Sequence, residues 1–560
     1  MSERPPSIVA GPPLAEEEGL GALTIGGWLR ELTERFGPNE ALVMHEPGGV
    51  TRWSYDDLWA RANEVARALL AMGVGKGARV GVLMTNRPEF LSAVFGTALA
   101  GGVATTLSTF STQVELDFLL RTSCCSVVLL ERTVLKKDFS AMLAAIEPAI
   151  ASAEPGALAS MHLPYLRHVA AIGGGPGMIE DWDAFLRRGD AVDQALVDAA
   201  AATVLPSDSG ALFFSSGSTG KPKGILSAHR GVALQMWRWK RFYQGGEDMR
   251  TWSSNGFFWS GNFGQAIGGT LTSGGSLILQ ATFQPEEALR LMEAEKATMA
   301  IAWPHQWAQL EAASNFLQVD LSAMHYVNPA NPLGRHPTVK TDWQEPWAAY
   351  GNTETFTISS IYPSGTPQHL MDGAHGVPLP GNVFRIVDPL TGATVPLGER
   401  GEIAVKGPTL MLGYIGTPLD ETLDDQGFFR TGDGGWFDEI GRLHWEGRLN
   451  DIIKTGGANV SPVEIDAVLK TCPGVKVTQT VGVPHETLGE LVVACIVPHE
   501  GATLDEKGVQ GFAKESLASY KVPRRVLFFG EDELELTGSA KIKTADLKAL
   551  VVKRLEAEAA

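Results

Sequence analysis

The sequence is poor in cysteine and has no long apolar run. Its four cysteines include the adjacent pair Cys124 and Cys125, which precedes an apolar run. We therefore expect this pair to be buried at a strand edge, rather than in a disulfide framework or a zinc site. No apolar stretch is long enough to cross a bilayer. Residues 1–19 are Pro-rich and then acidic, unlike a secretory signal. These absences leave the cytoplasm as the expected location.

Positive charge is also scarce. The chain has 46 Lys and Arg against 64 Asp and Glu, a formal net charge of −18, and no dense Lys/Arg run. Such a surface repels phosphate backbones, so no nucleic-acid partner is expected. An anionic ligand would have to be held by a few local cations and by backbone N–H groups.

The length and the periodicity of the chain predict several subdomains. A chain of 560 residues is too long for one hydrophobic core, and 44% apolar with 20% charged residues is typical of a folded protein. In the first 130 residues, apolar spacing predicts helices over 55–72 and 89–100 and strands over 80–84 and 127–130. This alternation predicts an α/β fold with doubly wound layers.

Composition changes divide the rest of the chain. Residues 140–205 are rich in alanine and predict helical excursions, whereas β-type runs at 384–387 and 402–406 predict a small β-barrel-like subdomain. A break near 447–450 precedes a block of domain size that predicts an α+β domain. We therefore predict an N-terminal domain over 1–449 and a C-terminal domain over 450–560.

The most specific motif is a glycine-rich loop, Phe-Phe-Ser-Ser-Gly-Ser-Thr-Gly-Lys-Pro-Lys-Gly, at residues 213–224. It follows an apolar strand, and its glycines let the backbone approach a ligand closely. Two residues between Gly217 and Gly220 distinguish it from a Walker A loop. A flexible linker is the alternative, although the Lys-Pro-Lys-Gly ending is unusual for one. The candidate phosphate-binding residues are Ser215, Ser216, Gly217, Ser218, Thr219, Gly220 and Lys223.

Four further motifs follow, and together they carry a family resemblance. They are Tyr-Gly-Asn-Thr-Glu at 350–354, Thr-Gly-Asp at 431–433, a long segment at 447–465 that begins Gly-Arg-Leu-Asn-Asp, and Leu-Thr-Gly-Ser-Ala-Lys-Ile-Lys at 536–543. Each motif alone could be an ordinary turn or a surface loop. In this order the five motifs resemble the adenylate-forming superfamily of acyl-CoA synthetases, peptide-synthetase adenylation domains and firefly luciferase. The resemblance covers nearly the whole chain.

The resemblance implies an AMP-forming acyl-CoA ligase that uses ATP, Mg²⁺ and coenzyme A. Tyr350 would stack on adenine, Thr353 would contact the α-phosphate and Glu354 would bind Mg²⁺, a hard cation that prefers carboxylate oxygen. Asp433 would accept hydrogen bonds from the ribose hydroxyls, with Arg448 beside it. Gly351 and Asn352 complete the implied ATP-binding set.

The same resemblance assigns the C-terminal residues. Lys541 would be the catalytic lysine, with Lys543 as its nearest competitor and Ala540 where the family usually has glycine. A mobile C-terminal domain would rotate about Asn450, a position usually occupied by Asp or Lys. Rotation would replace Lys541 in the site by the coenzyme A passage. The passage residues are Lys454, Gly456 and Gly457.

The acid would lie against the segment 255–264, which is rich in aromatic residues and glycine. Many relatives have His where Trp259 falls. The aromatic residues could equally be ordinary core. No cation is clearly dedicated to a second carboxylate, although Arg238, Lys240 and Arg241 lie nearby in sequence. A largely apolar acid is therefore favoured, whether fatty, aryl or alicyclic. The proposed wall residues are Trp259, Gly261, Phe263, Trp303 and Asn331.

Three alternatives stay open at this point. A stand-alone adenylating enzyme that loads a carrier protein would share every motif of the first half-reaction. A luciferase-like oxygenase would differ by oxygen-dependent light emission. A non-catalytic nucleotide-binding protein would lack acid-dependent pyrophosphate release. A homodimer is compatible with the sequence but is not indicated by it.

Overall fold

The computed structural model describes residues 4–215, 222–346, 348–371, 373–449, 451, 453–455, 458–485, 488–517, 521–530, 533 and 544–559. The chain divides into two compact units. The large unit comprises Ala10–Val383 and Lys406–Phe429, and the small unit comprises Met1–Val9, Phe384–Val405 and Arg430–Ala560. The predicted domain boundary at residue 450 stays a prediction.

Two large sheets form the framework of the large unit. The first has the strand order β10-β9-β6-β4-β5-β11-β12-β20, and it is parallel from β10 to β11. Its strands are β4 Arg79–Leu83, β5 Val103–Thr106, β6 Val127–Glu131, β9 His168–Ile172, β10 Ile179–Asp181, β11 Ser209–Ser215, β12 Lys223–Ala228 and β20 Gly413–Tyr414.

The second sheet has the order β15-β13-β14-β2-β3, with only the β2–β3 pair antiparallel. Its strands are β2 Glu40–Glu46, β3 Gly49–Ser54, β13 Arg250–Ser253, β14 Ser276–Leu279 and β15 Met299–Ile301. Two small ribbons complete the strands of this unit: β7 Thr133–Val134 with β8 Lys137–Asp138, and β16 Ser360–Ile361 with β17 Val377–Pro378.

Helices cover these sheets as in other parallel α/β proteins. They are α1 Ile25–Phe36, α2 Tyr55–Ala71, α3 Pro88–Leu99, α4 Gln113–Ser123, α5 Phe139–Ile146, α6 Trp182–Arg187, α7 Gln194–Ala202, α8 His229–Tyr243, α9 Ser260–Asn262, α10 Gly269–Thr272, α11 Pro285–Ala294, α12 Pro304–Glu311 and α13 Gln368–Met371. A π-helical stretch, Phe263–Gly268, joins α9 to α10.

Local chemistry explains where the predicted helices begin and end. Helix α2 starts at a capping box, in which the Ser54 side chain accepts the Asp57 N–H and Asp57 accepts the Ser54 N–H. It ends before Gly73, whose φ of +79° is readily adopted by glycine. Residues 55–72 were predicted from the spacing of apolar side chains, and α2 buries that face. The predicted α/β fold class is confirmed.

Two local expectations were wrong. The stretch 140–205 was predicted to be helical, but it also supplies β9 and β10 to the first sheet. Cys124 is not a strand-edge residue, because it caps the end of α4 with a φ of 52°. Of the adjacent pair, Cys125 is buried and Cys124 is partly exposed. All four cysteines are free, as expected.

The small unit contains two more sheets. The first has the order β1-β18-β19-β21-β22, from β1 Ile8–Ala10, β18 Val383–Val387, β19 Gly401–Lys406, β21 Phe429–Phe437 and β22 Leu443–Arg448. The second has the order β24-β23-β26-β25, with β27 parallel to β26; its strands are β23 Ile453–Thr455, β24 Ala458–Val460, β25 Val475–His485, β26 Gly489–Pro498 and β27 Arg525–Phe528. Its helices are α14 Pro462–Leu469, α15 Glu506–Ser516 and α16 Thr544–Ala559.

Within the described ranges, the length and hydropathy required to cross a bilayer are not met by any helix.

A network of ion pairs links strands β2, β3 and β13 of the second sheet through Glu295. Glu295 is almost buried, with 4% of its side chain exposed, and accepts hydrogen bonds from Arg52 at 2.7 Å and Arg250 at 2.9 Å. His45 Nε2 lies 2.6 Å from the same carboxylate. Burial alone would raise the pKa of Glu295, but the hydrogen bonds from Arg52 and His45 hold this pKa below its ordinary value. The carboxylate therefore stabilises the fold in its charged form.

Glu295→Gln is expected to lower the free energy of unfolding at pH 7 by about 1–3 kcal/mol, since it removes charge from buried hydrogen bonds. Because the folded-state pKa is depressed, this stabilisation is present above the ordinary value of 4.5 and is lost as the pH falls through the folded-state pKa. Urea unfolding at several pH values measures the difference. Glu311→Gln, in the exposed pair with Arg335, should change stability little. A pH-independent difference for Glu295→Gln would contradict the prediction.

Candidate active site

The glycine-rich loop connects two neighbouring strands of the first sheet. Strands β11 and β12 are antiparallel, and Ser215 pairs with Lys223 at the ends that flank the loop. The apolar part of β11 is buried, whereas Lys223 is exposed. Of the seven predicted phosphate-binding residues, Ser215 and Lys223 are therefore at the mouth of the loop. Ser216, Gly217, Ser218, Thr219 and Gly220 lie outside the described residues.

The motif at 350–354 forms a tight turn in the large unit. Tyr350 is buried and pairs with Ser360 through its backbone, and residues Thr353–Thr355 form a short 3-10 helix capped by the Asn352 side chain. Gly351 is required by a close approach: a Cβ there would lie 2.1 Å from the carbonyl oxygen of Thr357. The turn fixes the direction in which Thr353 and Glu354 leave the backbone.

Glu354 and Lys223 meet at one residue that the sequence analysis missed. The hydroxyl group of Tyr414 donates a hydrogen bond of 2.6 Å to Glu354 Oε1, and Lys223 Nζ lies 4.7 Å from the centre of the Tyr414 ring. Strand β20 positions Tyr414, because Tyr414 pairs with Ile225 of β12. The structure thus brings together the predicted metal ligand and the predicted phosphate-binding lysine. The signal in the sequence was a Gly-Tyr pair after a β-type run.

The carboxylate of Glu354 is suited to a magnesium ion. One oxygen is held by Tyr414, and a carboxylate held in this way can offer its other oxygen to a hard cation. Among the described residues, no group of three or more His, Cys, Asp or Glu could hold a metal by itself. In proteins Mg²⁺ is usually bound by one or two carboxylates together with substrate phosphates and water.

The predicted acyl segment combines buried aromatic residues with one open position. Phe257, Phe258 and Phe263 belong to the main hydrophobic core, and Trp259 packs against that core while partly exposed. At Gly261 an added Cβ would have no atom within 4 Å, so open space faces this glycine. The π-helical stretch begins at Phe263, and π-helical turns are frequent at functional sites. Phe263 is 1% exposed, so its role as a wall residue stays a prediction.

Asn86 anchors this segment, and the sequence analysis missed it. Its amide group donates to the Asn255 carbonyl at 2.8 Å, and its Oδ1 accepts the Phe257 N–H at 2.8 Å. It follows β4, at the carboxyl end of a parallel strand, where ligands bind in open α/β sheets. Its position just after a predicted strand was the signal in the sequence that could have identified Asn86. Asn86 is 4% exposed, so the side chain supports the segment from within.

Asn86→Ala is expected to raise the KM for the acid about tenfold, because the Phe257 N–H loses its acceptor and the segment relaxes. The KM for ATP should change less than about twofold, since the Asn86 side chain donates to Ser253 and Asn255 and accepts from Phe257, at or next to the acyl segment. Steady-state kinetics of acid-dependent AMP release measure both constants. A matched control is Asn63→Ala, which removes a buried asparagine that donates to Trp59 in α2. Equal increases in both KM values for Asn86→Ala would contradict this role.

The other two predicted wall residues are Trp303, which caps the start of helix α12, and Asn331. Trp303 is 37% exposed. Its backbone N–H donates to Gln306 Oε1, which also accepts a hydrogen bond from the Ser254 hydroxyl group. This shared partner brings Trp303 near the acyl segment. Asn331 forms a turn in which its Oδ1 accepts the Leu333 N–H.

Arg238 does not serve a second substrate carboxylate. Its side chain is fully buried and paired with Glu17, whose side chain is 2% exposed. The Arg238 guanidinium also donates to the Pro380 carbonyl at 2.7 Å. Of the three nearby cations noted in the sequence, Arg238 is thus committed to the fold, whereas Lys240 and Arg241 are exposed.

The small unit holds the predicted ribose-binding pair. Asp433 and Arg448 face each other in the β21–β22 register, and Arg448 Nε lies 3.1 Å from Asp433 Oδ1. Asp433 is nearly buried, whereas half of the Arg448 side chain is exposed. Lys454 is an exposed residue of β23. Its backbone N–H donates to the Glu490 carboxylate. Asn450, Gly456, Gly457 and Lys541 lie outside the described residues, so their roles stay predictions.

The chain belongs to the AMP-binding enzyme family. The family model matches residues 29–415, and the model of the AMP-binding enzyme C-terminal domain matches residues 464–541. The predicted membership of the adenylate-forming superfamily is confirmed, and with it the prediction of an enzyme.

Relatives match over almost their full length. The chain is 29% identical to the acyl-CoA ligase SID4 of Ajellomyces capsulatus, over 98% of this chain and 94% of that protein. It is 27% identical to the medium-chain acyl-CoA ligase ACSF2, mitochondrial, of Danio rerio, over 96% and 89%. Among solved structures, ATP-bound MatB from Rhodopseudomonas palustris has a TM-score of 0.74 and 27% identity, covering 94% of this chain and 98% of that one.

Proposed function

We propose that this protein is an AMP-forming acyl-CoA ligase that activates a largely apolar carboxylic acid. The observation that carries the proposal is the convergence of Glu354 and Lys223 on Tyr414 in the large unit. This arrangement presents a carboxylate and an ammonium group, the groups needed to hold a nucleotide triphosphate together with its metal.

In the first half-reaction the substrate carboxylate attacks the α-phosphorus of ATP, and pyrophosphate leaves. The barrier is the repulsion between anions and the charge that develops on the phosphate. Lys223 and the backbone N–H groups of the glycine-rich loop would hold the leaving pyrophosphate. Lys541 would place its ammonium group at the developing charge, and Mg²⁺ held by Glu354 would supply further charge compensation. Asp433 and Arg448 would bind the ribose.

The proposed acid is largely apolar because of the wall described above. Trp259 is a partly exposed apolar side chain, Phe263 packs in the core of the same segment, and open space faces Gly261. Arg238 is committed to Glu17, so its guanidinium is not available to a second substrate carboxylate. The relatives are named for different acids, including medium-chain and feruloyl groups. The class of acid must therefore be measured.

Coenzyme A is the proposed acyl acceptor. Its thiol would attack the acyl adenylate and release AMP, with Lys454, Gly456 and Gly457 along the passage. The relatives named as acyl-CoA ligases support this acceptor over a carrier protein.

A panel of acids tests the proposal. Octanoate, benzoate, cyclohexanecarboxylate and succinate are each incubated with ATP, Mg²⁺ and the enzyme, and pyrophosphate release and thioester formation are measured with and without coenzyme A. We expect acid-dependent release with at least one of the first three acids, none with succinate, and thioester only with coenzyme A. A panel that gives no acid-dependent pyrophosphate release would overturn the proposal. Thioester formation on carrier protein alone would correct the acceptor.

Location and assembly belong to the same proposal. We infer a cytoplasmic enzyme, which cell fractionation tests. Sedimentation at several concentrations determines whether the enzyme is a monomer or a homodimer.

A further inference from the structure

Tyr414 connects three elements of the large unit. Its backbone lies on β20 beside β12, its ring lies under Lys223, and its hydroxyl group reaches Glu354. The ring is also held from the side, since Phe429 packs edge-on with ring centres 6.4 Å apart. Tyr414 itself is half-buried. A residue fixed on three sides has little freedom to rearrange, so it can impose a position on its neighbours.

The segment that carries Tyr414 holds Glu354 twice. The Met411 N–H donates to the Glu354 carbonyl oxygen at 2.7 Å, and the Tyr414 hydroxyl donates to Glu354 Oε1 at 2.6 Å. The first contact fixes the backbone of Glu354 and the second fixes its side chain. A glutamate held at both points loses little conformational entropy when it binds a cation, and preorganisation of this kind increases affinity.

We propose that Tyr414 is a positioning residue that orients Glu354 for the metal of metal–ATP and keeps Lys223 on the same side. The inference rests on the proposed function, because it concerns the same nucleotide site. The hydroxyl group occupies Oε1, which directs the ion to the other carboxylate oxygen. The electron-rich face of the ring attracts the Lys223 ammonium group and limits where it can go. Tyr414 itself exchanges no proton and contacts no reacting atom.

Binding of Mn²⁺ to the intact protein tests this role without turnover. Electron paramagnetic resonance measures free Mn²⁺ in the presence of the α,β-methylene analogue of ATP. Tyr414→Phe keeps the ring and removes only the hydroxyl group, so it is expected to weaken Mn²⁺ binding about tenfold, the effect of one hydrogen bond to a charged group. Binding of the analogue without metal should stay within about twofold of the wild type, because the phenylalanine ring keeps the contact with Lys223.

Matched variants separate positioning from a general loss of structure. Tyr326→Phe removes a comparable hydrogen bond, from Tyr326 to Asp248 Oδ1 at 3.0 Å, and should bind Mn²⁺ as the wild type does. Glu354→Gln should weaken Mn²⁺ binding strongly, and adding Tyr414→Phe to it should have little further effect, since both act through one group. Tyr414→Leu also removes the ring and should weaken binding of the analogue without metal.

The Mn²⁺ affinities of these variants decide whether Tyr414 positions Glu354. Wild-type Mn²⁺ affinity in Tyr414→Phe, or additive effects in the double variant, would overturn the inference. Failure of the proposed function is distinguishable, because a protein without acid-dependent pyrophosphate release can still bind Mn²⁺ and the analogue. If the wild type binds neither, the nucleotide site itself is wrong and the inference fails with it.

Discussion

Lys541→Ala is expected to lower acid-dependent adenylate formation by about 10²–10³-fold, the usual effect of removing one group that stabilises developing charge. The ammonium group would act only while the carboxylate attacks the α-phosphorus. The second half-reaction would proceed in another arrangement of the chain, so thioester formation from preformed acyl adenylate should stay within about threefold of the wild type. Rapid-quench measurement of each half-reaction gives the two rates separately.

Lys543→Ala is the matched control for this variant. Both lysines belong to the same motif, with Ala540 in place of the usual glycine before Lys541. We expect Lys543→Ala to keep both rates near those of the wild type. An exchange of the two phenotypes would move the catalytic role to Lys543. Equal loss in both half-reactions for Lys541→Ala would contradict a role confined to the first of them.

Periodicity predicted the fold where the elements are long or strongly apolar. The helix predicted over 55–72 is Tyr55–Ala71, and the strand predicted over 127–130 is Val127–Glu131. Strand β10 was missed because it has only three residues, and β9 was missed because His168–Ile172 contains two alanines, which have little intrinsic preference for strands. Pairing with β6 makes His168–Ile172 a strand, and this pairing depends on a contact distant in sequence.

The candidate site was predictable where its residues are contiguous. The motif at 350–354 could be recognised from five adjacent letters. Tyr414 could not, because it acts on Glu354 across 60 positions, and Asn86 acts on Phe257 across 171 positions. A single sequence carries no record of such pairings. The strand order places these residues together, and only the structure supplies that order.

Glu17→Ala is expected to lower the free energy of unfolding by about 3–5 kcal/mol, because it leaves Arg238 buried without its counter-charge. Two nitrogens of Arg238 donate to the carboxylate of Glu17, at 3.0 Å from Nε and 2.8 Å from Nη2. A third nitrogen, Nη1, is buried without a partner among the described residues. Within the described part of the chain, no other carboxylate pairs with this guanidinium. Urea unfolding followed by tryptophan fluorescence measures the loss.

The double variant Glu17→Leu with Arg238→Met distinguishes the loss of one partner from the loss of both charges. Both charges are then absent, so the desolvation penalty that Glu17→Ala exposes disappears, and most of the stability should return. The Pro380 carbonyl still loses its donor, so a remaining deficit of about 1–2 kcal/mol is expected. If Glu17→Ala alone costs less than about 1 kcal/mol, as exposed pairs do, Arg238 must reach another anion. Its exclusion as a recognition group for a second substrate carboxylate would then have to be withdrawn.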